Sequence, residues 1–292
     1  MGDAMYSVEL IVNGVVLGSG YALLAAGLAV IFGVLNVVNF AHGALYMLGA
    51  FAALFLMPVT GYWLGLVLSA VLMAAVGVLL HEGILRHLPP DGAFSRTMLL
   101  TLGLAMILQN GAVLIWGAGP RQLPVASVPS GQVDLGVVGV PLVRAWIVVV
   151  SAVTLGGLYL VLNRTQIGRA MRGVAQNPTA ALVVGISPLR IGRFAMGLGV
   201  GLAGLAGATM APVFTVSPQM GITVVFKVFA IVVIGGLGSV PGSVIVAFAV
   251  GMLESFAGGY GSAITQSVSV FGFMILIMLI RPQGLFAREV RV

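Results

Sequence analysis

Eight long apolar stretches, at residues 8–35, 41–57, 62–85, 97–117, 144–163, 190–212, 223–257 and 262–281, leave little of this chain outside them. A helix needs about 20 apolar residues to cross roughly 30 Å of hydrocarbon. The stretches are too long and too uniformly apolar for the alternating strands of a membrane barrel. Charge points the same way: 13 basic and 7 acidic residues among 292 come to 7%, against about 25% in a soluble domain. So few charges cannot cover the surface of a soluble globule. A soluble enzyme and a disordered chain are thereby excluded. The net charge of +6 reflects scarce acids rather than abundant bases, so it is not the footprint of a nucleic-acid binder. The expected fold is an all-α polytopic membrane protein of about eight to nine transmembrane segments, a single domain over residues 1–292.

Cysteine is absent, which excludes disulfides, thiolate metal sites and a thiol nucleophile. His42, His81 and His87 lack zinc-site spacing. The start of the chain, MGDAMYSVEL, has acids but no basic run or small-residue cleavage site. It does not read as a secretory signal, so the first apolar stretch is expected to be retained.

Arginine placement orients the chain, because loops rich in Lys and Arg stay in the cytoplasm. No acid occurs between Asp134 and Glu254, and in that gap lie Arg164, Arg169, Arg172, Arg190 and Arg193. These five place the loop 164–193 in the cytoplasm. Arg86 and Arg96 bound a second such loop, and Arg281, Arg288 and Arg291 place the C-terminus there. The N-terminus then faces outside, as does the loop 118–143. Parity holds everywhere except between 193 and 281, where three segments stand and an even number is required. The conflict falls on 223–257, whose middle reads Gly235-Gly236-Leu237-Gly238-Ser239-Val240-Pro241-Gly242. No continuous helix tolerates that run. Two limbs, 223–235 and 241–257, restore parity, giving nine crossings or seven plus a re-entrant hairpin.

The first half carries its own break, from Gly33 through Asn36, Asn39 and His42 to Gly43. Broken backbone at membrane depth survives only where protein or a water-filled cavity surrounds it. Asn36, Asn39 and His42 are expected to satisfy the freed backbone groups. A broken segment in each half points to a transport pathway. Its expected residues are Asn36, Asn39, His42, Gly43, Gly235, Gly236, Gly238 and Ser239. His42 reads as structural, with a proton carrier as the alternative. Lys227 and Glu254 each stand within four residues of a segment end, so both are expected to snorkel to the interface. Glu82 and Arg86 form an i,i+4 pair.

Lys227 is the only lysine and follows Phe226, so the chain has no P-loop. It also offers few buried acids for ion coupling. A facilitator, or a permease driven by separate ATPases, follows. The loop 164–190 supports the driven permease. Residues 165–176 read as a short surface helix. Asn177 and Pro178 then open a second, capped helix that Gly185 ends. It is suited to docking in a partner's groove through Arg169, Arg172, Gln176, Asn177, Pro178, Ala181 and Gly185. In the segment 190–212, Gly197, Gly201, Gly204 and Ala208 share one face for close helix approach, within the chain or between subunits.

Four stretches carry a resemblance. They are Gly33-Val34-Leu35-Asn36-Val37-Val38-Asn39-Phe40-Ala41-His42-Gly43-Ala44 with Tyr46-Met47-Leu48-Gly49; Thr101-Leu102-Gly103 with Leu108-Gln109-Asn110; Gly168-Arg169-Ala170 through Gln176-Asn177-Pro178 to Gly185-Ile186; and Gly235 through Gly242. In order and together, they resemble the LivH-like permease subunits of branched-chain (hydrophobic) amino-acid ABC importers. Before residue 86 the family's Glu-Arg is replaced by His81-Glu82-Gly83. The resemblance implies a heterodimer with a LivM-like permease, two cytoplasmic ATPases that hold ATP and Mg, and a periplasmic or lipid-anchored binding protein. It implies a bacterial inner membrane and no cofactor in this chain. Relatives that carry urea, short amides or aromatic acids, and an ATP-independent channel, are the alternatives.

Overall fold

The computed structural model describes residues 2–87, 93–134 and 139–286. Eleven α-helices make up most of them: α1 (Gly2–Leu35), α2 (His42–Thr60), α3 (Tyr62–Gly83), α4 (Ala93–Trp116), α5 (Leu142–Arg164), α6 (Gln166–Gln176), α7 (Pro178–Val183), α8 (Pro188–Met210), α9 (Met220–Gly235), α10 (Val240–Tyr260) and α11 (Ala263–Ile280). Eight are long and apolar enough to cross a membrane, and α9 is a shorter apolar helix. The link between α4 and α5 carries a small antiparallel ribbon, β1 (Gln132–Asp134) on β2 (Gly139–Pro141). This ribbon is the one sheet among the described residues, and a single β-bridge joins Arg121 to Val216 beside it.

Long-range contacts fix the helix directions. The Tyr6 hydroxyl donates to the Gly259 carbonyl at 2.6 Å, and the Ser255 hydroxyl to that of Leu10 at 2.6 Å. Gly33, at the other end of α1, lies against Gly238. Thus α10 runs antiparallel to α1. Gly27 meets Gly199 and Gly20 meets Met210, so α8 also opposes α1. Gly77 meets Val200 while Gly204 meets Met73, so α3 opposes α8. One face of the bundle therefore gathers the start of α1, the 60–62 turn, residues 117–134 and 139–141, and the links 211–219 and 261–262. The opposite face gathers 84–87, 165–187, 236–239 and 281–286.

The two faces differ chemically. All three tryptophans stand at the first: Trp63 meets Trp146 edge-on at 4.7 Å, and Trp116 stacks on Phe51 at 4.5 Å. Such aromatics favour a membrane–water interface. Arg86, Arg164, Arg169, Arg172, Arg190, Arg193 and Arg281 lie at or next to the opposite face. There Glu82 pairs with Arg86 at 2.6 Å, as the spacing predicts, and also with Arg193 at 3.4 Å. Arg288 and Arg291 lie outside the described residues.

The core is built around α1, most of which is buried, while α4, α5 and α11 lie on the periphery. Small residues make this packing possible. The face of Gly197, Gly201 and Gly204 meets Val78, Ala74 and Met73 of α3. The close approach expected from that glycine pattern is therefore internal. Segment 223–257 is resolved into the antiparallel helices α9 and α10. At 16 residues, α9 is about 24 Å long at 1.5 Å per residue.

Candidate functional site

The first break begins where α1 ends. Asn36 takes the left-handed conformation, with φ +52°, which asparagine tolerates better than most residues. Residues 36–39 then run without regular structure toward α2. The Thr101 hydroxyl of α4 accepts from the Phe40 N–H at 3.2 Å. Its own proton has the Thr97 carbonyl at 2.9 Å and the Val38 carbonyl at 3.3 Å. The Asn39 Oδ1 accepts from the Ala41 N–H at 3.1 Å. His42 is fully buried, and its Nε2 lies 3.1 Å from the Leu24 carbonyl in the middle of α1. A carbonyl only accepts, so Nε2 carries the proton. The Asn39 Nδ2 and His42 Nδ1 have no hydrogen-bond partner among the described residues.

The expected division of labour is thus corrected. Of the three polar residues in the break, Asn39 alone caps its backbone. His42 serves α1 instead, and Asn36 is exposed. Thr101 does much of the remaining work. Replacing Thr101 with Val removes the partner of the half-buried Phe40 N–H, at a cost of about 1 kcal/mol. The expected result is a lower thermal midpoint in detergent for Thr101→Val than for Thr101→Ser, which keeps the hydroxyl. Equal midpoints for the two would remove Thr101 from this role.

The second break is a turn. Gly236 and Gly238 have φ of +94° and +83°, which glycine takes without strain. The Ser239 Oγ accepts from the Gly242 N–H at 3.3 Å and so caps α10. The Leu285 N–H closes the end of α9 on the Ile234 carbonyl at 2.7 Å.

The fold brings the two breaks together. Gly33 packs on Gly238. Between the breaks lies a small apolar cavity lined by Leu28, Phe32, Val38, Phe229, Val232 and Leu237. Phe40 and Phe229 meet at 5.8 Å, and Gly43 packs tightly on Gly221 at the start of α9. The expected residues fall at two depths. Gly235, Gly236, Gly238 and Ser239 stand level with the end of α1. His42 and Gly43 lie deeper, because nine residues separate Leu24 from Gly33, about 13 Å along a helix.

On the arginine-rich face, Thr165 caps α6 by accepting from the Gly168 N–H at 3.1 Å. Arg172 donates to the Leu162 carbonyl, and Met171 and Val174 are buried beneath the helix. Asn177 caps α7 by accepting from the Ala180 N–H at 3.0 Å, and Gly185, with φ +82°, ends it. Arg169, Gln176, Asn177, Pro178 and Gly185 are exposed, whereas Ala181 is buried and seats the helix. The apolar surface on offer is instead Leu182, Val183 and Val184, 58%, 84% and 73% exposed. Capping reveals where such a helix begins and ends, but not which of its faces is covered.

Lys227 and Glu254 overturn the snorkelling expectation. The Lys227 Nζ lies 2.5 Å from the Glu254 Oε1, and both residues are buried. The Gln266 amide donates to the same oxygen at 2.9 Å, and the Tyr21 hydroxyl to Oε2 at 2.8 Å. The two charges stand 27 residues apart on helices that fold back on each other, so spacing along one helix gave no sign of their pairing.

The sequence model of the family described as "Branched-chain amino acid transport system / permease component" matches residues 10–280. The chain is 28% identical to the high-affinity branched-chain amino acid transport system permease protein LivH of Escherichia coli (strain K12), over 97% of this chain and 96% of that protein. It is 27% identical to the corresponding protein BraD of Pseudomonas aeruginosa, over 99% and 98%. The permease protein LivM of Salmonella typhimurium is 29% identical over 91% of this chain and 67% of its own length. No solved structure matches.

Proposed function

The chain belongs to the family of branched-chain amino acid transport system permease components, and on that premise we propose that it is the membrane-spanning subunit of an ATP-driven importer of branched-chain and hydrophobic amino acids. It is a multi-pass membrane protein and a transporter component rather than an enzyme. The observation that carries the mechanism is the capped pair α6–α7, seated on the arginine-rich face and presenting the apolar Leu182–Val184 ridge. A ridge of this kind on a membrane protein's polar face suits docking into a groove.

In this reading the arginine-rich face is cytoplasmic, and the chain crosses a bacterial inner membrane nine times with its N-terminus outside. Two ATPase subunits, which hold ATP and Mg, take up the α6–α7 ridge. A LivM-like permease pairs with this chain, and the likeness of LivM to it supports a pseudo-symmetric pair. A binding protein delivers substrate to the 117–141 face. Substrate passes beside the two breaks, where the cavity walls are aliphatic and aromatic. Asn36, Asn39, His42, Gly43, Gly235, Gly236, Gly238 and Ser239 flank that route.

The test is reconstitution of the chain with its three kinds of partner in liposomes and uptake of labelled leucine, isoleucine, valine, phenylalanine, urea and benzoate. The expected result is uptake of the branched-chain amino acids that requires both ATP and binding protein. Uptake that survives ATP depletion, or a chain that purifies alone as a homo-oligomer and still transports, overturns the driven mechanism. Preference for urea or benzoate overturns the substrate class.

A further inference from the structure

A buried ion pair in a membrane segment calls for a reason. Each charge alone costs a few kcal/mol at the bilayer centre, and well-packed apolar side chains of similar volume often serve stability as well or better. Here the Glu254 carboxylate is held from three helices besides its own: by Lys227 of α9, Gln266 of α11 and Tyr21 of α1. Ser255, the next residue, ties α10 to Leu10 of α1. The group therefore fastens α9 to a wall made of α1, α10 and α11.

The helix so fastened also packs against the first break. Val225 packs on Gly43, Phe229 on Phe40, and Phe229 and Val232 line the cavity with Val38. These residues lie on either side of Lys227 along two turns of α9. The helix is short and meets its neighbours backbone to backbone at both ends, Gly221 on Gly43 and Gly235 on Gly242 and Ser243, so what the polar group sets is the position of the helix between those two seams.

We propose that the Lys227–Glu254 pair, with Tyr21 and Gln266, is a latch that positions α9 against the first break and holds the cavity at Phe229 and Val38 closed. Lys227 and Glu254 are positioning residues; they act through α9 and need not touch substrate. This rests on the reading of the breaks as the transport route. Releasing the latch lets α9 swing out, opens the cavity to water and uncouples ATP hydrolysis from uptake.

The chain has no cysteine, so a single cysteine at Val38 or at Phe229 reports access to an aqueous thiol reagent in the assembled complex. The variants are Lys227→Met, Glu254→Gln, the reversal Lys227→Glu with Glu254→Lys, and the conservative Lys227→Arg. The expected result is labelling at least about tenfold faster in each single neutral variant, the size of a typical coupling between sites. ATP hydrolysis persists in them while uptake falls, and the reversal and Lys227→Arg move labelling and uptake back toward the original. Unchanged labelling in the single variants overturns the latch, as does a reversal no better than they are. Should single variants fail to assemble, Lys227→Arg against the reversal decides, since a latch requires both to label slowly. Labelling is read without any substrate, so a failed transport assay and a failed latch remain separate outcomes.

Discussion

Deleting residues 174–185 is expected to abolish uptake and its coupled ATP hydrolysis while the chain still inserts and pairs with its partner permease. The segment removes α7 and the end of α6 from the polar face, and its exposed residues support no spanning helix. A milder form separates docking from folding. Leu182, Val183 and Val184 are exposed, so replacing all three with Ser leaves the cap at Asn177 and the buried Ala181 in place. If the ridge anchors an ATPase, uptake falls at least about tenfold, since burying a Val or Leu side chain is worth about 1.5–3 kcal/mol and a tenfold change needs about 1.4 kcal/mol. Asn177→Ala removes one cap hydrogen bond, worth about 1 kcal/mol, and is expected to weaken coupling less than the ridge variant. Co-purification of the ATPase in detergent is the measurement. Full recovery of ATPase with the triple Ser variant would place the contact elsewhere.

The second large effect is on assembly of the helices themselves. At Gly207 an added Cβ would lie against the Tyr46 carbonyl oxygen and 2.8 Å from the Ala50 nitrogen. Both belong to the backbone of α2, which cannot rotate away as a side chain can. Overpacking in a core costs about 1–3 kcal/mol and more where backbone must move, so Gly207→Ile is expected to exceed about 3 kcal/mol. Gly156 and Gly157 of α5 have nothing within 4 Å, and isoleucine there is expected to be neutral. The comparison is the fraction of each variant that stays monodisperse after detergent extraction and heating. Equal loss at Gly207 and Gly156 would show that glycine content, not close approach, governs these helices.

Much of this architecture is legible along the sequence because its signals are local. Spanning helices announce themselves by apolar length. The 235–242 turn follows from four glycines and a proline, and α7 from Asn177, Pro178 and Gly185. The candidate site was legible only in part. That the breaks at 33–43 and 235–242 touch depends on α1 and α10 lying side by side, a contact between residues some 200 apart that no single-chain pattern encodes. For the same reason Thr101 gave no sign of its bond to Phe40, 61 residues away. Lys227 and Glu254 misled because distance to a segment end is a poor guide once the segment folds in two. Ala181 misled because a helix of six residues is too short to show an apolar face by periodicity.

The central place of α1 has a consequence for how the chain is made. Synthesis delivers this helix to the membrane well before its neighbours α8 and α10, which begin at Pro188 and Val240. Until α10 arrives, the small-residue face of Gly14 and Gly18 lacks its partner, as Gly27 on another side does until α8 arrives. A ribosome that stalls before residue 240 therefore leaves an inserted but unfinished bundle, open along α1. The core of the bundle is thus completed only when α10 closes on a helix made more than 200 residues earlier.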